Sequence, residues 1–125
     1  MEKYFKEIKT LGSYLLLLLF MLISYSIKGQ SPCNDDLCVV QFNAGFNEVN
    51  KVLWVNELTD CNIKFIDIQV DTEAAGIYKI VVVPTLVVYN GGEEVGRFQA
   101  NIMMKMEATK KEVQGKIDEI IMEAF

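Results

Sequence analysis

Three cysteines are the residues with the clearest potential for chemistry in this chain of 125 residues. Four residues separate Cys33 from Cys38, and Cys61 lies further along. In an oxidising compartment the first two would close a small disulfide loop; the alternative is a pair of free thiols. Histidine, the commonest general base and metal ligand, does not occur. We therefore predict no metal site and no cofactor.

Catalysis by Cys33 and Cys38 is an alternative that the local sequence does not favour. Asp35 and Asp36 lie between the two thiols, and nearby carboxylates raise a thiol pKa. No helix is predicted to begin there and stabilise a thiolate. Cys61 follows a predicted helix and is expected to be a buried or half-buried free thiol.

Composition limits the partners. The apolar fraction of 51% and charged fraction of 23% suit one domain with a modest core. The formal charge is −5, and only one of the twelve basic residues is an arginine. We therefore expect no nucleic-acid partner.

The N-terminal part contains an uncharged stretch, residues 11–27. As a helix it would be about 25 Å long, against a hydrocarbon core of roughly 30 Å. We predict a single transmembrane anchor within residues 1–28, with a cleaved signal peptide and a secreted domain as the alternative. Lysines before the stretch place the folded domain on the non-cytoplasmic side. Residues 29–37 would be a linker, and residues 38–125 the domain.

The elements of the domain follow from residue patterns. Strands are predicted at 39–44 and 63–70, followed by a strand beginning at Pro84, a tight turn at Asn90-Gly91-Gly92 and a return strand at 93–99. Helices are predicted at 48–59, capped by Asn47, and at 72–78. Thr109 and Glu112 form a capping box for a last helix. Its apolar face comprises Val113, Ile117, Ile120, Ile121 and Ala124.

The stretch Val83-Pro84-Thr85, with the apolar strand, Gly-Gly-Glu turn and second strand that follow, resembles the second half of the thioredoxin fold. The resemblance extends over residues 38–125. It implies an α/β, minimal thioredoxin-like fold, β-α-β-α-β-β-α, with a mixed sheet and helices on both faces, behind one N-terminal hydrophobic helix. It also implies that Pro84 is a cis-proline facing the active site.

The family's redox motif does not align with cysteines here. Asn47 and Asn50 occupy the positions of the two reactive thiols, and Gln41 occupies that of a buried acid. An amide cannot attack a disulfide sulfur. The resemblance therefore predicts a redox-inactive module with no catalytic residues, which is not an enzyme.

The surface that corresponds to the active site of the resembled fold is predicted to bind a protein partner. Its residues are Phe46, Asn47, Val83, Pro84, Ala100, Met103 and Met104. In the alternative, the methionines cover the core. The predicted function is protein binding, or a structural role in a larger membrane-associated assembly such as a membrane complex or a large-virus particle. The alternative function is a thiol–disulfide oxidoreductase working through Cys33 and Cys38.

Overall fold

The computed structural model describes residues 12–19, 31–33 and 36–125, and the last of these ranges contains a four-stranded mixed sheet. Its strands are β1 (Cys38–Asn43), β2 (Asn62–Asp67), β3 (Thr85–Asn90) and β4 (Glu93–Gln99), in the order β2-β1-β3-β4. β1 is parallel to β2 and antiparallel to β3, which is antiparallel to β4. β1 and β3 lie at the centre and are almost wholly buried, as their unbroken apolar runs predict.

Successive side chains of β1 point to opposite faces of the sheet and build two apolar clusters. The first cluster contains Val39, Val52, Val55, Leu58, Leu86, Val88, Val113, Ile117 and Ile120. The second contains Cys38, Val40, Phe42, Val87 and Tyr89, with Tyr78 and Ile80 packed against it. The segment after β1 and the last helix thus cover one face, and the segment around 74–80 covers the other.

Residues 12–19 form a helix, α1, and two further α-helices belong to the domain that contains the sheet. The short helix α2 (Ala74–Ile77) precedes the cis-proline segment, and α3 (Lys110–Glu123) ends the domain. The Thr109 hydroxyl accepts a hydrogen bond from the Glu112 N–H at 3.2 Å and so caps α3 where the sequence predicts its start. Gly91 and Gly92 both adopt positive φ in the turn between β3 and β4, which explains why glycine occurs twice there.

The helix predicted at 48–59 is broken into two 3-10 helices, Gly45–Asn50 and Leu53–Glu57. The buried Gln41 side chain explains the break. Its Oε1 accepts a hydrogen bond from the Val52 N–H at 2.8 Å, and its Nε2 donates to the Val52 carbonyl at 3.0 Å. Both main-chain groups of Val52 are therefore bonded to β1 and take no part in a helix.

The predicted single-pass membrane localisation is contradicted, whereas the anchor assigned to residues 1–28 stays a prediction. In the parts of the chain that the structure describes, no helix has both the length and the apolar character needed to cross a membrane. Residues 11 and 20–27 of the predicted anchor lie outside the described residues, and the boundary between the linker 29–37 and the domain 38–125 stays a prediction.

Candidate functional site

Asn47 lies just beyond the carboxyl end of β1 and is 4% exposed. Its Nδ2 lies 3.2 Å from Asn43 Oδ1, 3.3 Å from the Val83 carbonyl and 3.2 Å from the Met104 carbonyl. Because Nδ2 carries two hydrogens, one of them is shared between two acceptors. Its Oδ1 accepts a hydrogen bond from Asn50 Nδ2 at 2.8 Å. Asn47 therefore connects β1, the segment before Pro84 and the loop after β4.

The predicted capping role of Asn47 is not what the structure shows. Ala44 precedes the 3-10 helix at the N-cap position, and Asn47 lies inside it with non-helical φ and ψ. The Asn47 N–H donates to the Ala44 carbonyl at 2.9 Å. Its amide is directed instead toward acceptors from other segments, which no pattern local to residues 44–50 indicates.

Pro84 lies beside Asn47, and the Val83–Pro84 peptide bond is cis. The Pro84 carbonyl accepts a hydrogen bond from the Ala100 N–H at 3.0 Å, and the Thr85 hydroxyl donates to the Val82 carbonyl at 2.6 Å. The first of these bonds joins the proline segment to the end of β4, and the second fixes the turn that leads into β3.

An open groove of about 220 Å³ adjoins this segment. Its lining is almost entirely apolar: Phe46, Ile68, Ile80, Val81, Val82, Val83, Asn101, Ile102 and Met104. Phe46 is 64% exposed and Ile102 is 96% exposed. The Phe46 N–H donates to Gln69 Oε1 at 2.9 Å, which fixes the main chain beneath the ring.

The residues of the predicted binding surface divide into two groups. Phe46, Met103 and Met104 are exposed, whereas Asn47, Val83, Pro84 and Ala100 are buried beneath them. The two methionines follow Asn101, whose Oδ1 accepts hydrogen bonds from the Met103 and Lys105 N–H groups at 2.9 and 3.1 Å. Met106, by contrast, packs against the first cluster. The alternative in which the methionines cover the core thus applies to Met106.

A disulfide joins Cys33 to Cys38 at the other end of β1. Cys38 is 3% exposed, while Cys33 is half-buried against the second cluster. An open cavity of about 320 Å³ lies beside the bond and is lined by Pro32, Cys33, Asp36, Cys38, Asn62, Ile63 and Lys64. Cys33 is therefore the more accessible of the two residues.

Polar contacts hold the segment that carries Cys33. The Ser31 hydroxyl donates to the Cys33 carbonyl at 2.7 Å and accepts a hydrogen bond from the Cys33 N–H at 3.1 Å. Lys64 Nζ on β2 donates to the Pro32 carbonyl at 3.0 Å. Sequence reasoning did not identify Ser31 or Lys64, because Lys64 reaches this segment only through the pairing of β2 with β1.

The disulfide and Asn47 are far apart. They lie at opposite ends of β1, whose six residues span about 16 Å at the usual rise per residue. In the arrangement implied by the resemblance, the redox cysteines would lie at the Asn47 end, beside the cis-proline. The two candidate sites of this chain are therefore separate.

Cys61 is a free, half-buried thiol. Burial raises its pKa, and the neighbouring Asp60 carboxylate raises it further. It packs with Leu37 against the first cluster, whereas Cys33 packs against the second. Cys61 and Cys33 therefore pack against different faces of the sheet.

Neither protein-family models nor curated proteins match the sequence. Solved structures do match. A mutant thioredoxin from Halobacterium salinarum superposes with a TM-score of 0.53 at 23% identity, covering 68% of this chain and 74% of that one. Thioredoxin 1 from Thermosipho africanus gives 0.53 at 17%, covering 70% and 97%. The chain has a thioredoxin-like fold. The predicted fold class is confirmed, and at these identities the similarity is one of fold alone.

The prediction that the chain is not an enzyme is contradicted. It assumed that redox chemistry requires cysteines at positions 47 and 50 of the thioredoxin-like fold. The disulfide between Cys33 and Cys38 provides a redox couple elsewhere in the same domain, at a Cys-x-x-x-x-Cys spacing. The predicted redox inactivity of the chain is not supported either.

Proposed function

We propose that this thioredoxin-like domain is a thiol–disulfide oxidoreductase that works through Cys33 and Cys38. The observation that carries the proposal is a disulfide that borders an open cavity and joins one accessible and one buried cysteine. An incoming thiolate must approach a disulfide sulfur directly, so exposure decides which sulfur is attacked. Cys33 is the attacked residue, and Cys38 is the leaving group.

The exchange has two steps. A partner thiolate attacks Cys33 Sγ, the Cys33 to Cys38 bond breaks, and Cys38 leaves as a thiolate that takes up a proton. A second thiolate of the same partner then attacks the partner's own sulfur in the mixed disulfide and releases Cys33. The partner dithiol loses two electrons and becomes a disulfide, while Cys33 and Cys38 become a dithiol. The reverse sequence reduces a partner disulfide.

The charges beside the cavity affect the reduced state. The Lys64 ammonium group lies against the main chain next to Cys33 and favours a thiolate there. Asp36 is exposed at the same cavity, and its negative charge disfavours that thiolate. Replacing Lys64 with methionine should therefore slow alkylation of reduced Cys33 at neutral pH, and replacing Asp36 with asparagine should accelerate it.

The experiment is oxidation of a dithiol peptide by glutathione disulfide, with catalytic amounts of the full-length chain. Wild type and a Cys61→Ser variant should accelerate the reaction equally, and Cys33→Ser should not accelerate it. Cys38→Ser should accumulate a mixed disulfide at Cys33, detectable by mass spectrometry. Equal rates for wild type and Cys33→Ser would refute the proposal.

A second candidate function is protein binding at the groove beside Pro84. The observation that favours it is the apolar lining of the groove, with Phe46 and Ile102 largely exposed. We propose an extended apolar segment of a protein partner as the occupant, because an open apolar groove gains affinity from a few buried anchors. This site lies at the far end of β1, so it does not depend on the redox proposal.

Phe46→Ala tests the groove, and Val49→Ala is its control. Val49 is 92% exposed, belongs to the same 3-10 helix and does not line the groove. Phe46→Ala should abolish capture of apolar peptides from an immobilised peptide array while the melting temperature stays within a few degrees of wild type. Unchanged capture, or a large loss of stability from Phe46→Ala, would refute this function.

A further inference from the structure

The sheet has two edges, and they differ in how well they are protected against pairing with another strand. The β4 edge contains Glu93, Glu94 and Arg97, and a register irregularity interrupts its pairing at Val88 and Tyr89. Charges and bulges of this kind discourage strand addition. The β2 edge also carries two charged residues, Lys64 and Asp67, but it pairs with β1 over all six residues without irregularity. Near its centre lies Phe65, which is partly exposed.

The hydrogen bonds to β1 show which main-chain groups of β2 face outward. The Asn62 N–H donates to the Leu37 carbonyl at 2.8 Å, and the Ile68 N–H donates to the Asn43 carbonyl at 2.9 Å. Even-numbered residues therefore face β1. In a parallel ladder the alternate residues direct their N–H and C=O groups the other way. Ile63 and Phe65 thus present both groups, and Asp67 presents its N–H, at an edge that is open in the described part of the chain. The Asp67 carbonyl already accepts hydrogen bonds from the Val70 and Asp71 N–H groups at 3.1 and 2.9 Å.

We infer that this edge pairs with the same edge of a second copy of the chain, in antiparallel orientation. A two-fold axis perpendicular to the sheet would relate the copies and keep each face of the sheet continuous. Outward-facing residues must then lie opposite outward-facing residues. This inference rests on the sheet alone and does not require the redox function.

Two registers centre the strands on each other, and charge decides between them. In one register, Lys64 lies directly opposite Lys64 of the second copy, and repulsion between the two like charges disfavours that register. In the other, Phe65 lies opposite Phe65 of the second copy, and Asp67 lies opposite Ile63. The two Phe65 residues exchange their N–H and C=O bonds, and each Asp67 N–H meets an Ile63 carbonyl. The second register is the one we propose.

The exposed side of Phe65 fits this arrangement. Its ring lies on the face of the sheet that carries the first cluster, and Lys51 Nζ lies 4.3 Å from the ring centroid. Glu48 accompanies that ammonium group at 3.9 Å. Directly opposite aromatic residues stabilise antiparallel pairs. The dimer would therefore bury a Phe65 pair beneath two lysines that each have a counterion.

Sedimentation velocity of the full-length chain over a range of concentrations tests the dimer. Phe65→Pro removes the N–H that points away from β1 and leaves in place the N–H groups of β2 that bond to β1. Phe65→Ala keeps the outward N–H and is the control. Wild type should show a concentration-dependent dimer, and Phe65→Pro should weaken association about tenfold more than Phe65→Ala, because two main-chain hydrogen bonds are lost.

Cross-linking tests the register in a Cys61→Ser background. Mild oxidation should join Phe65→Cys of the two copies by a disulfide, because directly opposite residues lie about 5.5 Å apart between Cα atoms, and should fail to join Lys64→Cys, whose diagonal separation of roughly 8 Å is too long for a disulfide. A monomer at every concentration would overturn the inference. If the Ile63 and Phe65 amides of that monomer were protected from hydrogen exchange, another segment of the same chain would cover the edge. Cross-linking of Lys64→Cys alone would overturn the register, and a dimer unaffected by Phe65→Pro would place the interface elsewhere.

Discussion

Replacing Asn47 with alanine should lower the free energy of unfolding by about 3 kcal/mol. The change removes an amide that lies within hydrogen-bond distance of Asn43, Val83 and Met104 and accepts a bond from Asn50. A typical hydrogen bond contributes about 1 kcal/mol, and a buried acceptor left without a donor costs about 1 to 3 kcal/mol. Three lost donor contacts from a side chain that is 4% exposed give the estimate.

Urea unfolding monitored by the fluorescence of Trp54, the single tryptophan, measures this loss. Asn56→Ala is the matched control, because Asn56 is exposed in the second 3-10 helix and should cost less than about 0.5 kcal/mol. An Asn47→Ala loss no larger than that of the control would refute the reasoning. Asn47 would then be incidental to the packing of the three segments it contacts.

Three further predictions concern other buried or strained groups. Gln41→Glu should destabilise the fold at pH 8 and much less at pH 5, because only a protonated acid donates to the Val52 carbonyl; equal unfolding energies at both pH values would contradict this. Burial raises the pKa of Tyr89 from 10.0 to about 12, so its contribution to stability should be complete below pH 10 and lost as pH rises toward 12. Melting curves of Tyr89→Phe should lack that part of the decline. Lys79 has a φ of 55°, so Lys79→Gly should stabilise the domain by about 1 kcal/mol in the same urea assay; a loss of stability would show that the lysine side chain matters there.

The sheet could be predicted from the sequence because each of its signals is local. The apolar run beginning at Val39, the turn glycines and the Thr109 cap each specify an element with neighbouring residues alone. The observed strands β1, β3 and β4 begin and end within one or two residues of the predicted ones. Local preference and tertiary packing agree at these positions.

The candidate sites could not be predicted in the same way. Gln41 breaks the following helix by bonding to Val52, eleven residues away, and no helix propensity reports that bond. Asn47 connects segments that lie 36 and 57 residues further along the chain. The sequence alone allowed either a disulfide or two free thiols at Cys33 and Cys38, and the resemblance placed the redox positions at residues 47 and 50 instead. Contacts between groups that are not neighbours in the sequence decide all three cases.

The position of Cys61 has a consequence for how the chain can be handled. Cys61 and Cys33 pack against opposite faces of the β1 and β2 pair, so the fold directs the free thiol and the disulfide toward different clusters. This separation and the raised pKa of Cys61 should both slow shuffling of the disulfide in the folded chain. A folded sample should keep one defined disulfide isomer during long storage at neutral pH, and mixed isomers in a preparation would report that part of it had unfolded.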